Sequence, residues 1–73
     1  MKRTEQRIVC EDAAGQRYLV QVFVHVEHDG GLGARECWLV SGPNYRPLDV
    51  MEPMTVFKVA GESTIIRQVA AIS

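Results

Sequence analysis

From Arg17 to His28 the chain alternates without a break, with Tyr18, Val20, Val22, Val24 and Val26 on one side and Leu19, Gln21, Phe23, His25 and Glu27 on the other. Period two with one wholly apolar side is the pattern of a strand with a buried face. The second side is mixed. Leu19 and Phe23 there predict that the first half of the strand is covered on both sides, as in a strongly bent sheet or a small barrel. Glycine and proline at Gly15, Gly30-Gly31-Leu32-Gly33, Gly42-Pro43-Asn44, Pro47, Pro53 and Gly61 cut the rest of the chain into strand-length pieces, and no helix-length periodic segment survives before Gly61.

Turn chemistry proposes a register for the first strands. A three-residue loop Ala13-Ala14-Gly15, with Gly15 left-handed, sets Ile8 opposite Val20, Val9 opposite Leu19, Cys10 opposite Tyr18 and Glu11 opposite Arg17. For the next hairpin, a five-residue loop Asp29–Gly33 places Val22 opposite Val40, Val24 opposite Trp38, His25 opposite Cys37 and Glu27 opposite Arg35. A slip of one residue there would set Glu27 against Glu36 and break the apolar face, whereas a slip of two keeps both faces and stands as the alternative register. The expected core face is then Ile8, Cys10, Tyr18, Val20, Val22, Val24, Val26, Trp38 and Val40, on strands Arg7–Glu11, Arg17–His28 and Arg35–Ser41.

Beyond the turn at Gly42-Pro43-Asn44 the pattern predicts a strand around Arg46–Met51, a break at Glu52-Pro53, a strand Thr55–Ala60 and a turn at Gly61-Glu62. The segment Ser63–Val69 has two readings. As a strand it pairs Ile66 with Phe57 across a two-residue turn. As a helix capped by Ser63 it lines up Ile65, Ile66, Val69 and Ile72. The strand is the preferred reading, and the whole is one all-β domain: a small antiparallel meander of five or six strands, curled into an SH3-like or partly open barrel.

Composition supports that picture. Val and Ile together number 14 against 4 Leu and 6 Ala, and β-branched side chains favour strands. Charged residues make up 23% of the chain and the formal net charge is −1, which excludes a strongly charged disordered segment and disfavours a polyanion partner bound through bulk electrostatics. No apolar run reaches the length of a membrane span, and Met1–Arg7 shows no secretory signal, so a cytoplasmic protein with no membrane association is expected. Cys10 and Cys37 are then reduced, buried thiols rather than a disulfide.

The chemistry-bearing residues each have a structural reading beside the functional one. His25 and His28 are three apart, which on a strand points them to opposite faces, so no metal site and no cofactor are expected. Cys37 and His25, if they face each other across the hairpin, have the composition of an activated thiol, and most such neighbours are packing partners. The glycines of Asp29–Gly33 do not precede a helix and so do not make a phosphate loop. Tyr18, Phe23, Trp38, Tyr45 and Phe57, with Arg7, Arg35, Arg46 and Arg67, have the interleaving of a stacking platform for a single nucleic-acid strand, but Tyr18, Trp38 and Phe57 read as core.

One resemblance extends from Cys37 to Val69. Trp38-Leu39, a turn at Gly42, Pro47-Leu48-Asp49, Phe57-Lys58-Val59, a turn at Gly61 and Ile66-Arg67-Gln68-Val69 come in an order that resembles short bacterial proteins of unknown function. Those carry a Tyr-Leu strand, a glycine turn, a Leu-Asp strand, Phe-x-Val and a closing Leu/Ile-Arg-Arg-Val. The present chain departs from them at Pro43-Asn44-Tyr45 and Gln68. The resemblance implies a final strand and attaches no functional residue.

Absence of a convergent acid, base and nucleophile makes a non-enzymatic interaction module the preferred function, with a single-stranded nucleic-acid binder and a Cys37–His25 thiol enzyme as alternatives. A meander too small to close leaves sheet edges unpaired. The strand Arg17–His28 outreaches Arg7–Glu11, so either the half around Phe23–Glu27 lies open or the chain's own C-terminal segment covers Phe23, two readings of equal standing. The expected binding residues are Phe23, His25 and Arg35 on the mixed face, with Tyr45 and Arg46 exposed at the turn, and the expected partner is a second copy or another protein.

Overall fold

The computed structural model describes residues 1–71. Six antiparallel strands follow one another in chain order: β1 (Lys2–Glu11), β2 (Arg17–Val26), β3 (Leu32–Ser41), β4 (Asn44–Glu52), β5 (Val56–Val59) and β6 (Ile65–Ala71). Each pairs with the next, and β6 returns to β1, closing a small barrel. Val20, Val22 and Val24 of β2 point inward and are fully buried, as are Ile8, Cys10, Phe57 and Ile66; Cys37, Leu39, Leu48, Val56 and Val59 complete the interior. The segment after Gly61 is a strand, and Ile66 stands opposite Phe57 as expected. Ile72, which entered the helical alternative, lies outside the described residues.

The first hairpin has the expected register, with Ile8 opposite Val20, Cys10 opposite Tyr18 and Glu11 opposite Arg17. Its turn is held from within. Asp12 Oδ1 accepts the amides of Ala14 at 2.9 Å and Gln16 at 3.0 Å, and the Tyr18 hydroxyl donates to Asp12 Oδ2 at 2.9 Å. Gly15 takes φ +83°, a conformation that costs a side-chain-bearing residue about 1–2 kcal/mol.

The second hairpin departs from the expected register. Val22 stands opposite Cys37, Val20 opposite Leu39 and Gln21 opposite Trp38. The turn is tighter than a loop of Asp29–Gly33: Gly30 donates to the Glu27 carbonyl at 3.0 Å and Glu27 to the Gly31 carbonyl at 2.8 Å, so Leu32 and Gly33 belong to the strand. The register then shifts between Val24 and Val26, where Gly33 and Ala34 together face His25 alone. The expected register rested on a five-residue loop and set Glu27 opposite Arg35, but Arg35 reaches across the sheet to Glu5 instead. Displacement by an odd number of residues turns every side chain of a strand over. Cys37 and Leu39 are therefore inside, while Trp38 and Val40, expected in the core, are half-buried on the outer side. Tyr18 and Val26, at the two ends of the inner face of β2, are also half-buried rather than core.

The open half-strand expected beside Phe23 is not present on the β1 side. β1 begins at Lys2 and pairs with β2 as far as His25. Lys2–Gln6 carries no apolar alternation, but β2 offers it a ladder, and tertiary pairing overrides weak local preference. The barrel does not close along its full length, however. Among the described residues β6 covers only Ile8–Glu11 of β1, and β4 covers only Trp38–Ser41 of β3. The N-terminal half of β1, the C-terminal half of β2 and the N-terminal half of β3 thus extend past the closed part as a three-stranded flap.

Candidate functional site

Residues directly opposite in antiparallel strands share a face, so the register lays out the outer side of the sheet in rows. Val9, Leu19, Val40 and Tyr45 form one row across β1 to β4. Arg7, Gln21, Trp38 and Pro47 form the next. Thr4, Phe23 and Glu36 follow, and then Lys2 with His25 on the flap. This side therefore gathers three aromatic rings. Phe23 and Tyr45 meet edge to face with centroids 6.2 Å apart, and Phe23, Trp38, Tyr45 and Lys2 border an open depression of about 310 Å³.

Polar groups hold two of these rings, Tyr45 and Trp38. Gln21, only 8% exposed, donates from Nε2 to Thr4 Oγ1 at 2.6 Å and accepts the Tyr45 hydroxyl at Oε1 at 3.4 Å, tying β1, β2 and β4 together beneath the patch. Glu36 is the hub. Its Oε1 accepts Trp38 Nε1 at 3.1 Å and Lys2 Nζ at 3.2 Å, and its Oε2 accepts His25 Nε2. The hydrogen bonds from His25, Trp38 and Lys2 hold the Glu36 carboxyl at about 2, so it is charged at neutral pH. Lys2 Nζ also stands over two rings, 5.3 Å from the Phe23 centroid and 5.9 Å from that of Trp38.

Of the residues expected to form the site, the fold brings together Phe23, His25 and Tyr45. Arg35 is not with them. It stands opposite Val24, on the inner side of the flap, where its guanidinium makes a two-pronged contact with Glu5 at 2.7 and 2.8 Å. Arg46 alternates with Tyr45, leaves β4 on the other side and pairs with Glu62 at 3.1 Å. Reading Trp38 as core hid its place here, and Lys2, Gln21 and Glu36 were missed altogether. The alternation of Glu36, Trp38 and Val40 with Cys37 and Leu39 in β3 carried the signal, since the second set is the wholly apolar one.

The Cys37–His25 pair is not formed. Cys37 faces the interior opposite Val22, while His25 lies on the outer side of β2 against Glu36. Burial raises the Cys37 thiol above its ordinary value and, together with the nearby Cys37, pushes Cys10 up to about 11. Both cysteines are free. Among the described residues no three His, Cys, Asp or Glu side chains are gathered as a metal site, and no helix is long and apolar enough to cross a membrane.

Fold and site together define a small closed antiparallel barrel with an aromatic, hydrogen-bonded patch on its outer surface. The chain matches no family model, no curated protein and no solved structure among those compared.

Proposed function

We propose that this protein is a small, non-enzymatic binding module that engages a polypeptide partner on the outer side of β1–β4. The observation that carries this reading is the convergence of Phe23, Trp38 and half-exposed Tyr45 around one depression, with Tyr45 bonded to Gln21 and Trp38 to Glu36. Aromatic residues fixed in position lose little entropy on binding, and an apolar centre with a polar rim is the usual anatomy of a modest interface. Among the described residues the flap edges on β1 and β3 have no strand beside them, and next to the patch they can take an extended partner. The buried, free thiols fit a reducing compartment, and we place the protein in the cytoplasm.

Base stacking is the second reading, favoured by the three rings beside Lys2. A carboxylate beside the rings weighs against it, and Lys2 and Arg35 are already engaged with Glu36 and Glu5. Selection of random peptides on the immobilised protein, followed by mapping of the winners on amide and indole chemical shifts, tests the proposal. Shifts centred on Phe23, Trp38 and Tyr45, lost in Tyr45→Ala, are expected. Peptides that map elsewhere, or a labelled single strand that binds at low salt while no peptide is enriched, would overturn it. Sedimentation equilibrium of the same samples separates a second copy of the chain from a foreign partner.

A further inference from the structure

Lys2, the first residue of β1, carries an ammonium that meets two aromatic rings and a carboxylate at once. Its ammonium stands over the Phe23 and Trp38 rings, 5.3 and 5.9 Å from their centroids, and donates to Glu36 at 3.2 Å. Both distances fall within the range of about 6 Å over which a ring face attracts a cation. Rings supply the attraction and the carboxylate supplies charge and an acceptor. That is the chemistry that recognises an alkylammonium group.

Resting on the reading of this side as a partner-binding surface, we propose that Phe23, Trp38 and Glu36 form a receptor for a lysine side chain of the partner, and that Lys2 is its internal occupant in the free protein. The occupant is held loosely. Its side chain remains 47% exposed, and the strand end that carries it is paired on one side only among the described residues. Exposed ion pairs of this kind contribute little to stability, so exchange of one ammonium for another is inexpensive. Glu36 is committed to the charged state by His25 and Trp38 as well as by Lys2, so the carboxylate persists when Lys2 leaves. The hydrogen bond to Oε1 also selects the ligand: a primary ammonium reproduces it, and a quaternary one has no proton to donate.

A tethered occupant competes at high effective concentration, so the free site is partly masked. The test uses Nα-acetyl-lysine methylamide as the probe, with the fluorescence of Trp38, the single tryptophan, and its indole N–H shift as readouts. Lys2→Ala should bind the probe saturably and at least about tenfold more tightly than the unsubstituted protein. The double variant Lys2→Ala/Glu36→Gln should lose binding, and the norleucine analogue should not bind at all. Lys2→Gln serves as the second opened variant, and circular dichroism confirms that each variant is folded. No saturable response in either opened variant, or an equal response to the norleucine analogue, would overturn the proposal. The two readings fail separately: lysine-free peptides that map to Phe23 and Tyr45 would leave the binding face standing and remove the lysine receptor. Probe binding without any peptide on this face would do the reverse.

Discussion

Substituting glutamine at Leu39 and at Trp38, one at a time, tests which side of β3 faces the interior. Leu39 is 4% exposed and packs in the core cluster with Phe57 and Ile66. Burial of a leucine side chain is worth about 1.5–3 kcal/mol. The amide that replaces it would meet only apolar neighbours, which adds about 1–3 kcal/mol for the unpaired group. A loss of about 2.5–6 kcal/mol is large against the roughly 4–11 kcal/mol expected of a chain this size. Trp38 is half-buried on the outer side, where a glutamine can keep its amide in water, so Trp38→Gln should cost less than about 2 kcal/mol. Urea unfolding followed by far-ultraviolet circular dichroism gives both values from one assay. With slopes of about 1–3 kcal/mol per molar, Leu39→Gln should lower the midpoint by at least about 1 M or leave the protein unfolded in buffer. Equal losses for the two variants, or a larger loss for Trp38→Gln, would refute the register of β2 and β3.

Val22→Asp should abolish the cooperative transition, because Val22 is fully buried in the middle of β2 and an unpaired charge there costs several kcal/mol; a folded variant would contradict the inner face. Glu36 titrates at about 2 in the folded protein against an ordinary 4.5, so its stabilising contribution is complete above pH 4.5 and is lost as the pH falls towards 2. Glu5 and Asp12, also held low, act in the same direction, so Glu36→Gln should reduce the acid slope of stability without removing it. A slope unchanged by that substitution would break the hub. Burial and raised thiol values mean that Cys10 and Cys37 should resist a thiol reagent at pH 8 in the native protein and react after denaturation. Rapid modification of either without unfolding would show that the interior is open.

The β2 strand, the closing strand and the first hairpin were legible because each has a local cause, whereas β1 and β3 begin earlier than expected. Valine alternation marks β2, and the Ala13-Ala14-Gly15 turn, with Gly15 left-handed, sets the β1–β2 register. The Gly61 turn sets Ile66 against Phe57. The second hairpin was not legible for a local reason too. Three glycines within Gly30–Gly33 permit several turns, the choice among them is not written locally, and Arg35 bonds to Glu5, thirty residues away in sequence, rather than to Glu27. That one choice decides whether Trp38 is core or surface, so the site was half visible. Phe23, His25 and Tyr45 follow from the mixed face of β2 and the exposed turn. Lys2, Gln21 and Glu36 depend on a pairing of β1 that its own polar sequence does not announce.

Whether Phe23, Trp38 and Tyr45 share one solvent-facing side of the barrel is decided most directly by a nuclear Overhauser spectrum of the protein in solution. Contacts from the Trp38 indole to the Lys2 methylenes, and from the Phe23 ring to that of Tyr45, are the expected result. Contacts from the indole to Phe57 and Ile66 would place Trp38 inside and contradict the site.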